Sequence, residues 1–249
     1  MANRTAGIFI CSLFLGIAAF LFFYARPLMF LEQTKREFRD SPEMWIVPKP
    51  LIPGSIVRAV AKPPTLSYFG YQFESPTAEV KEERKMEGVV VLSFSDCAVT
   101  AILRPQPGGS LAQITKAGPP GLHRSMENVV GKEAKGSDYA LRRKVLNTTP
   151  GCLSVYALPS QMVRNSVLLR LKGIESQRFK NGLYSFETPS IRGFQEGDIT
   201  LDKSVIIEAF DFQDRGLTLT VGRKPGKACF GQPELNQIIF SLRPAASSE

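Results

Sequence analysis

The sequence is poor in the residues that most catalytic and metal sites need. Its 249 residues include a single histidine, His123, in the loop-like segment GPPGLHRSM. Because a zinc site takes three or four ligands at suitable spacing, one histidine without a partner predicts a solvated loop residue. We therefore predict no catalytic residue, no cofactor-binding residue and no metal site.

The sequence also lacks the short motifs that announce catalysis or phosphate binding. It has no G-x-S-x-G nucleophile elbow, no G-x-x-x-x-G-K-[ST] loop and no G-x-G-x-x-G turn. No internal repeat is visible either. These absences leave an enzyme only as an alternative, with a site of unrecognised pattern.

Cysteine is scarce, and none of the four cysteines forms a C-x-x-C pair. Cys11 lies in an apolar run, which leaves Cys97, Cys152 and Cys229, an odd number. A Cys152–Cys229 or a Cys97–Cys229 disulfide is one interpretation if the protein is exported. A thiol nucleophile at Cys97 or Cys152 beside His123 is another. We favour a third, in which these are small thiols, buried or exposed, without a catalytic role.

Charge is in mild excess of one sign, since the formal net charge is +8. A basic domain beside a membrane anchor can lie on anionic headgroups. We predict no binding to nucleic acid, because no basic cluster alternates with aromatic residues at a spacing suited to base stacking. The one local basic cluster is Arg142-Arg143-Lys144. Contiguous cations on a helix point in different directions, so the cluster predicts no coherent binding face.

Two further patterns carry chemistry in some proteins. The segment RGFQEGD, residues 192–198, contains Glu196 and Asp198 close to two glycines. Paired carboxylates can bind Ca²⁺ or transfer protons, but this spacing fits no familiar calcium loop, so a turn between two strands is the prediction. Asn147-Thr148-Thr149 is a glycosylation sequon, which has meaning only in a glycosylating secretory pathway.

The longest hydrophobic run, Thr5 to Ala25, carries no charge over 21 residues. As a helix it would reach about 31 Å, which matches the roughly 30 Å hydrocarbon layer of a bilayer. A soluble core helix of that length would show a polar stripe, and this run has almost none. A cleaved signal would be shorter and would end in small residues rather than in Phe22-Phe23-Tyr24. We predict an uncleaved anchor.

Two rules give opposite predictions for the orientation of this anchor. The amino side holds the α-amine and Arg4, whereas Arg26, Lys35, Arg36 and Arg39 follow the run. Counted directly, the positive-inside rule places the large domain in the cytoplasm. A run so close to the amino terminus commonly acts as a signal anchor that exports the following chain. We favour an exported domain, on the periplasmic side of a cell membrane.

We divide the chain into four parts. Residues 1–25 form the anchor, and residues 26–65 form a juxtamembrane segment and a proline-rich linker. The start of this connector is either a charged stalk, which we favour, or a short amphipathic helix on the membrane surface. The prolines after it predict an extended spacer, because proline fixes φ and lacks an N–H group. Residues 66–243 form a globular domain, and 244–249 form a flexible tail.

Strands are predicted at both ends of this domain. The segment LSYFGYQFESP predicts one strand, KEERK at 81–85 a charged loop, and GVVVLSF with VTAILRP a hairpin. Later, GLYSFET predicts a strand, and SVIIEAFDF with LTLTVGR a second hairpin. We expect Gly216 to take a positive φ in the turn of that hairpin.

Helices are predicted in the middle and at the end. Ser137 can cap a helix that Pro150 stops, and a second helix runs from Pro159 to Gly173, with Gly173 as its C-terminal cap. The last helix begins at Pro233. Its apolar residues recur at i, i+3, i+4 and i+7, so one face must dock on a sheet.

This order of elements predicts an α+β domain with an antiparallel sheet covered by helices. An aromatic strand with Tyr71-x-Phe73-x-x-Pro76, an immediate hairpin, central helices, a late hairpin and a C-terminal helix resemble the Mog1/PsbP-like α/β/α sandwich. The resemblance spans about residues 66–243, and the insert at 104–136 departs from it. It implies non-catalytic modules that attach to larger assemblies.

The sequence therefore favours a single-pass membrane-anchored protein. Its lipid partner would be a bilayer contacted through residues 5–25, and a protein partner at the membrane would bind the displayed α+β domain. This role would be binding or assembly rather than catalysis. The alternative is a membrane-anchored or secreted hydrolase or thiol enzyme.

Overall fold

The computed structural model describes residues 12–53, 63–94, 98–104, 128–130, 132, 137–224 and 230–245. The chain begins with one long helix, α1 (Ser12–Glu37), which has a π-helical turn at Leu21–Ala25. Among the described residues α1 is the one helix that is long and apolar enough to cross a membrane. Its residues 12–23 are all exposed, and Tyr24 and Ala25 after them are half-buried.

A large sheet organises the rest of the chain. Within the described ranges it has eight strands in the order β1-β7-β8-β9-β10-β6-β5-β4. Every pair is antiparallel except β1 with β7. The strands are β1 (Lys49–Pro50), β4 (Val80–Met86), β5 (Val89–Phe94), β6 (Ala98–Leu103), β7 (Leu183–Glu187), β8 (Ile191–Glu196), β9 (Ser204–Asp211) and β10 (Gly216–Arg223). A smaller sheet joins β2 (Thr65–Tyr68), β3 (Tyr71–Glu74) and β11 (Arg243–Pro244), with β3 in the middle.

Helices cover both faces of the large sheet. Three short 3₁₀ turns, Pro42–Trp45, Pro150–Cys152 and Ser176–Phe179, link the longer elements. The helices of the body are α2 (Asp138–Asn147), α3 (Pro159–Glu175) and α4 (Gln232–Ser241). Residues of α4 and of the small sheet pack with one face, whereas α2 packs with the other. The predicted α+β class, with a mostly antiparallel sheet and helices, is confirmed.

The residues of β8 and β9 show how the two faces separate. Ile191 and Ile207 belong to the main hydrophobic core beneath α4. Phe194 and Phe210, on the opposite face of the same strands, pack with Tyr139 of α2. Because successive side chains of a strand point to opposite faces, alternation assigns each residue to one layer.

Local conformation differs from the prediction at several points in the strands. Residues 81–85 lie in β4, an edge strand, and not in a loop. An exposed edge strand does not need alternating apolar residues. The charged residues of β4 therefore gave no strand pattern in the sequence. The single strand predicted from Leu66 is a β2–β3 hairpin that turns at Phe69 and Gly70, both with positive φ. In the later hairpin Asp214, rather than Gly216, takes the positive φ.

The second predicted helix also runs further than expected. Gly173 lies inside α3 and does not cap it. A Cβ at this position would lie 2.6 Å from two ring atoms of Phe38, so the glycine permits close approach of the chain that follows α1. Ser137 caps α2 as predicted, since its Oγ accepts a hydrogen bond from Ala140 N at 3.1 Å.

The connector predicted at 26–65 is structured along much of its described length. The second half of α1, Arg26–Glu37, packs against α3, and Pro42–Trp45 continues the contact. Lys49–Pro50 then joins the edge of the large sheet beside β7. Residues 54–62, in the proline-rich part, lie outside the described residues.

Candidate functional site

The contact between α1 and α3 is the first candidate feature, and we call it the helix joint. Leu31 and Thr34 of α1 are fully buried one turn apart. Leu31 lies in a small core cluster with Met162 and Leu169 of α3. Since i and i+3 positions lie on one side of a helix, this stripe docks α1 along α3.

Polar contacts of Arg170 fix the register of the helix joint. Its Nε donates a hydrogen bond to Thr34 Oγ1 at 3.0 Å, and its Nη2 lies 3.0 Å from Glu37 Oε2. Its guanidinium also lies 4.8 Å from the ring centroid of Phe30. These three contacts use the planar guanidinium in ways that a lysine could not reproduce.

Lys172 ties the chain after α1 to the same helix. Its Nζ donates to the carbonyl oxygens of Met44, Ile46 and Thr148 at 3.1, 2.6 and 2.9 Å. Its side chain is buried, and burial lowers the pKa of Lys172 to about 8. One side chain thus connects α3 to the 3₁₀ turn after α1 and to the end of α2.

A second candidate feature is a group of buried charges, which we call the Arg142 cluster. Arg142 of α2 is 1 % exposed and forms ion pairs with Glu175 of α3 and Glu196 of β8. Its Nε lies 2.7 Å from Glu208 Oε2 of β9. Glu175 also pairs with Arg178 at 2.6 Å. Two guanidinium groups therefore face three carboxylates, between two helices and the sheet.

The excess carboxylate has a direct electrostatic consequence. Burial, together with the neighbouring charges of Glu208 and Glu175, raises the pKa of Glu196 to about 7 even though Arg142 opposes the shift. Its second oxygen, Oε2, accepts no hydrogen bond from the described residues. The raised pKa favours the protonated form of Glu196 at pH values below about 7.

The sequence-based interpretation of these charges was only partly informative. The sequence predicts no common binding face for Arg142, Arg143 and Lys144. In the structure Arg142 is buried, whereas Arg143 and Lys144 are exposed. Glu196 was predicted in a turn, but it ends strand β8 and the turn follows at Gly197. No sequence signal links Arg142 to Glu196, because 54 residues separate them.

The other predicted candidates do not join the Arg142 cluster in the structure. Asp198 accepts hydrogen bonds from Thr200 N and Thr200 Oγ1 at 2.7 and 2.6 Å, and these bonds lower its pKa. Cys152 is a free, exposed thiol near Thr149. Asn147 is exposed and donates to Arg143 O at 2.8 Å. Each of these side chains has its own local contacts.

The remaining candidates, Cys11, Cys97, Cys229 and His123, lie outside the described residues. So does most of the insert at 104–136. Across the part of the chain that the structure does describe, no group of three histidine, cysteine, aspartate or glutamate side chains could hold a metal ion. The three carboxylates of the Arg142 cluster are instead directed at a guanidinium group.

Comparisons with known proteins add no family to these observations. The resemblance to the Mog1/PsbP-like sandwich accordingly stays a prediction. The protein-family models, the curated proteins and the solved structures compared with this chain contain no match to it.

Proposed function

We propose that this protein is a single-pass membrane protein whose α+β body binds or assembles with a partner at the bilayer surface, without catalysis. The single observation that carries the proposal is the continuity of α1. Its first half is apolar and exposed, and its second half is docked on α3 through the helix joint. A helix that exposes a full apolar turn on every side needs a lipid solvent.

The structure of the helix joint gives this anchor an unusual property. A flexible stalk would let the body move freely above the bilayer, whereas here the apolar segment and the docked segment are one helix. Arg170 and Lys172 hold that helix and the following turn against α3. The proposed anchor therefore sets the orientation of the body as well as its distance from the lipid.

A binding role is also supported by the contacts of those reactive side chains that the structure describes. An enzyme of the alternative kind would bring Cys152, Glu196 or Asp198 together in one pocket. In the structure Glu196 forms an ion pair with Arg142, and Asp198 accepts a hydrogen bond from Thr200. The element order shared with the Mog1/PsbP-like sandwich agrees with a non-catalytic module, as an analogy of fold alone.

Extraction of membranes tests the anchor. We expect the full chain to stay in the pellet after alkaline carbonate treatment, because its apolar segment is buried in lipid. As a control, a chain with Leu15→Arg and Phe20→Arg places two charges in the segment and should be released. Release of the unaltered chain under the same treatment would refute the anchor.

Labelling of Cys152 tests the side on which the body lies. This thiol is exposed on the body, so it reports accessibility without an engineered cysteine. In a chain with Cys97→Ser and Cys229→Ser, we expect a membrane-impermeant maleimide to label Cys152 in intact spheroplasts, and an added Cys152→Ser change to abolish the label. Labelling of Cys152 only after lysis would place the body in the cytoplasm.

Crosslinking of the full chain in intact membranes tests the binding role. We expect one discrete adduct that recurs between preparations and that disappears when the Leu15→Arg, Phe20→Arg chain is used. Recovery of the membrane-bound chain without any adduct would contradict binding and favour the enzyme alternative.

A further inference from the structure

A groove of about 510 Å³ lies where α1 meets the start of α3. It is the point at which the apolar half of α1 gives way to the docked half, since Pro27 forms part of its wall. Val129, Lys132, Val163 and Arg164 also line it.

The position of the groove along α1 sets its depth relative to a bilayer. Pro27 follows Ala25, the last residue of the uncharged run, by two residues, or about 3 Å of helix rise. The polar layer on each side of the hydrocarbon core is roughly 5–7 Å thick. With α1 spanning the membrane, the groove therefore opens at the level of the lipid headgroups.

A neighbouring loop gives an independent sign that this side of the body meets lipid. Val155, Tyr156 and Leu158 precede α3, and all three are exposed, Tyr156 by 95 %. Ala157 of the same loop packs against the small core cluster that also contacts Tyr24, at the end of the apolar run. The exposed residues thus lie near the end of the span, where tyrosine and aliphatic side chains favour the membrane interface.

The lining of the groove combines two kinds of surface. Lys132 and Arg164 contribute positive charge, and the lining residues that the structure describes include no acidic side chain. Pro27, Val129 and Val163 contribute apolar wall. The ammonium group of Lys132 offers a point charge to a phosphate, and a guanidinium group has five donors, so Arg164 can add a phosphate to the contact that it already makes. An apolar wall beside them suits the glycerol and the first methylenes of a lipid.

We propose that this groove binds the phosphate headgroup of an anionic phospholipid from the surrounding bilayer. The occupant is a membrane lipid rather than a soluble phosphate, because the groove is continuous with the apolar span and has apolar wall that a free phosphate would not use. The proposal rests on the proposed function in requiring that α1 crosses the bilayer. Bound lipid would add a second attachment beside the helix joint.

Lipid retention by the purified full chain tests this site. In an uncharged detergent we expect native mass spectrometry to show one phosphatidylglycerol retained per chain and little phosphatidylcholine. Lys132→Gln with Arg164→Gln should weaken phosphatidylglycerol retention by about 10- to 30-fold, since each well-placed cation contributes to anionic lipid binding. The matched control neutralises two exposed cations away from the groove, Arg143→Gln with Lys203→Gln, and should retain lipid as the unaltered chain does.

The remaining outcomes separate the possible failures. Equal loss in both double variants would show that general surface charge holds the lipid, and displacement by excess inorganic phosphate would show a site for free phosphate; either overturns the proposal. If the double variant misfolds, Lys132→Gln alone, at an exposed position, should still weaken retention by about 3- to 5-fold. A chain that is retained by membranes but prefers no anionic lipid would refute the groove and leave the anchor intact.

Discussion

The two faces of the large sheet are stabilised in different ways. The face beneath α4 is mainly apolar, with Ile207 and Leu219 of the sheet against Leu235 and Ile238 of the helix, all fully buried. Its main polar contact is a pair of hydrogen bonds between the uncharged side chains of Gln195 and Gln232. The face beneath α2 has aromatic contacts at Tyr139 and, beside them, the Arg142 cluster. Apolar burial stabilises many packing arrangements, whereas a buried ion network tolerates few. We expect the charged face to fix how α2 and α3 are placed, and α3 contacts α1 at the helix joint.

Removal of the guanidinium group of Arg142 should have the largest effect on stability. Arg142→Met leaves three buried carboxylates without their main counter-charge, and we expect it to lower the free energy of unfolding at pH 7.5 by about 3–5 kcal/mol. The matched change on the apolar face, Leu235→Ala, should cost about 2–4 kcal/mol by leaving a cavity. Denaturant unfolding of the full chain in uncharged detergent, followed by circular dichroism, measures both.

The two variants should differ further in their response to acid. Protonation of Glu196, whose pKa is raised to about 7, removes one of the uncompensated charges in Arg142→Met at pH 5. The deficit of Arg142→Met should therefore shrink at that pH, whereas the deficit of Leu235→Ala should stay constant. Equal deficits at pH 5 and 7.5 in Arg142→Met would contradict a role for the buried charges.

Protonation of Glu196 should make the stability of the charged face depend on pH. Its pKa is raised to about 7 in the folded protein, above the ordinary value of 4.5, so the folded state holds a proton that the unfolded state releases. This contribution to stability is present below pH 4.5 and is lost as the pH rises through about 7. Glu196→Gln, which mimics the protonated acid, should therefore become more stable than the unaltered chain over that window, by about 3 kcal/mol at most.

Unfolding free energies at half-unit steps from pH 4 to 8 check the prediction for Glu196. The difference between the two chains should grow between pH 4.5 and 7 and level off above it. An exposed control, Glu187→Gln on β7, should show no such growth. A flat difference for Glu196→Gln would mean that its carboxyl does not exchange a proton in this range.

The smallest effects on stability are expected from the N-terminal caps of α2 and α4, one on each face of the sheet. Asp214, in the β9–β10 turn, accepts hydrogen bonds from Ser137 Oγ and from the first backbone N–H groups of α2. Asp214→Ala should cost about 1–2 kcal/mol, since it removes these bonds and the residue takes a positive φ of 64°. Asp214→Asn should cost roughly half as much, because asparagine tolerates this conformation and can still accept a hydrogen bond.

The corresponding change above the apolar face is Glu234→Ala in α4, which removes a 2.8 Å hydrogen bond from Gly231 N. We expect about 0.5–1 kcal/mol, by the same denaturant unfolding. A larger effect there than at Asp214 would contradict the view that the charged face depends more on specific polar contacts.

Local patterns predicted much of the fold. Both long hairpins, the cap at Ser137 and the start of α4 follow from alternation, capping chemistry and proline, which act over a few residues. The edge strand at 81–85 was missed because its exposed residues carry no apolar period. The prediction that Gly173 caps a helix was wrong. This glycine instead allows close contact with Phe38, which lies 135 positions away in sequence, so no local pattern could predict it.

The candidate sites were predicted less well than the fold. Glu196 and Arg142 were both noted, but in separate roles, and Glu175 and Glu208 were not noted. Each belongs to a different element, and only the packing of α2 and α3 on the sheet brings them together. The second half of α1 was predicted as part of a connector, because the stripe of Leu31 and Thr34 is short and its partner lies in α3.

Hydrophobic runs, periodicity and turn residues act over a few neighbouring positions, so they suffice to predict the long apolar helix, the α+β class and most element types. Three features follow only from packing: the continuation of α1 into the body, the arginine surrounded by three carboxylates, and the groove beside Pro27. Burial, ion pairing and cavities depend on which distant surfaces meet. Those contacts are set by packing over the whole chain and not by neighbouring residues.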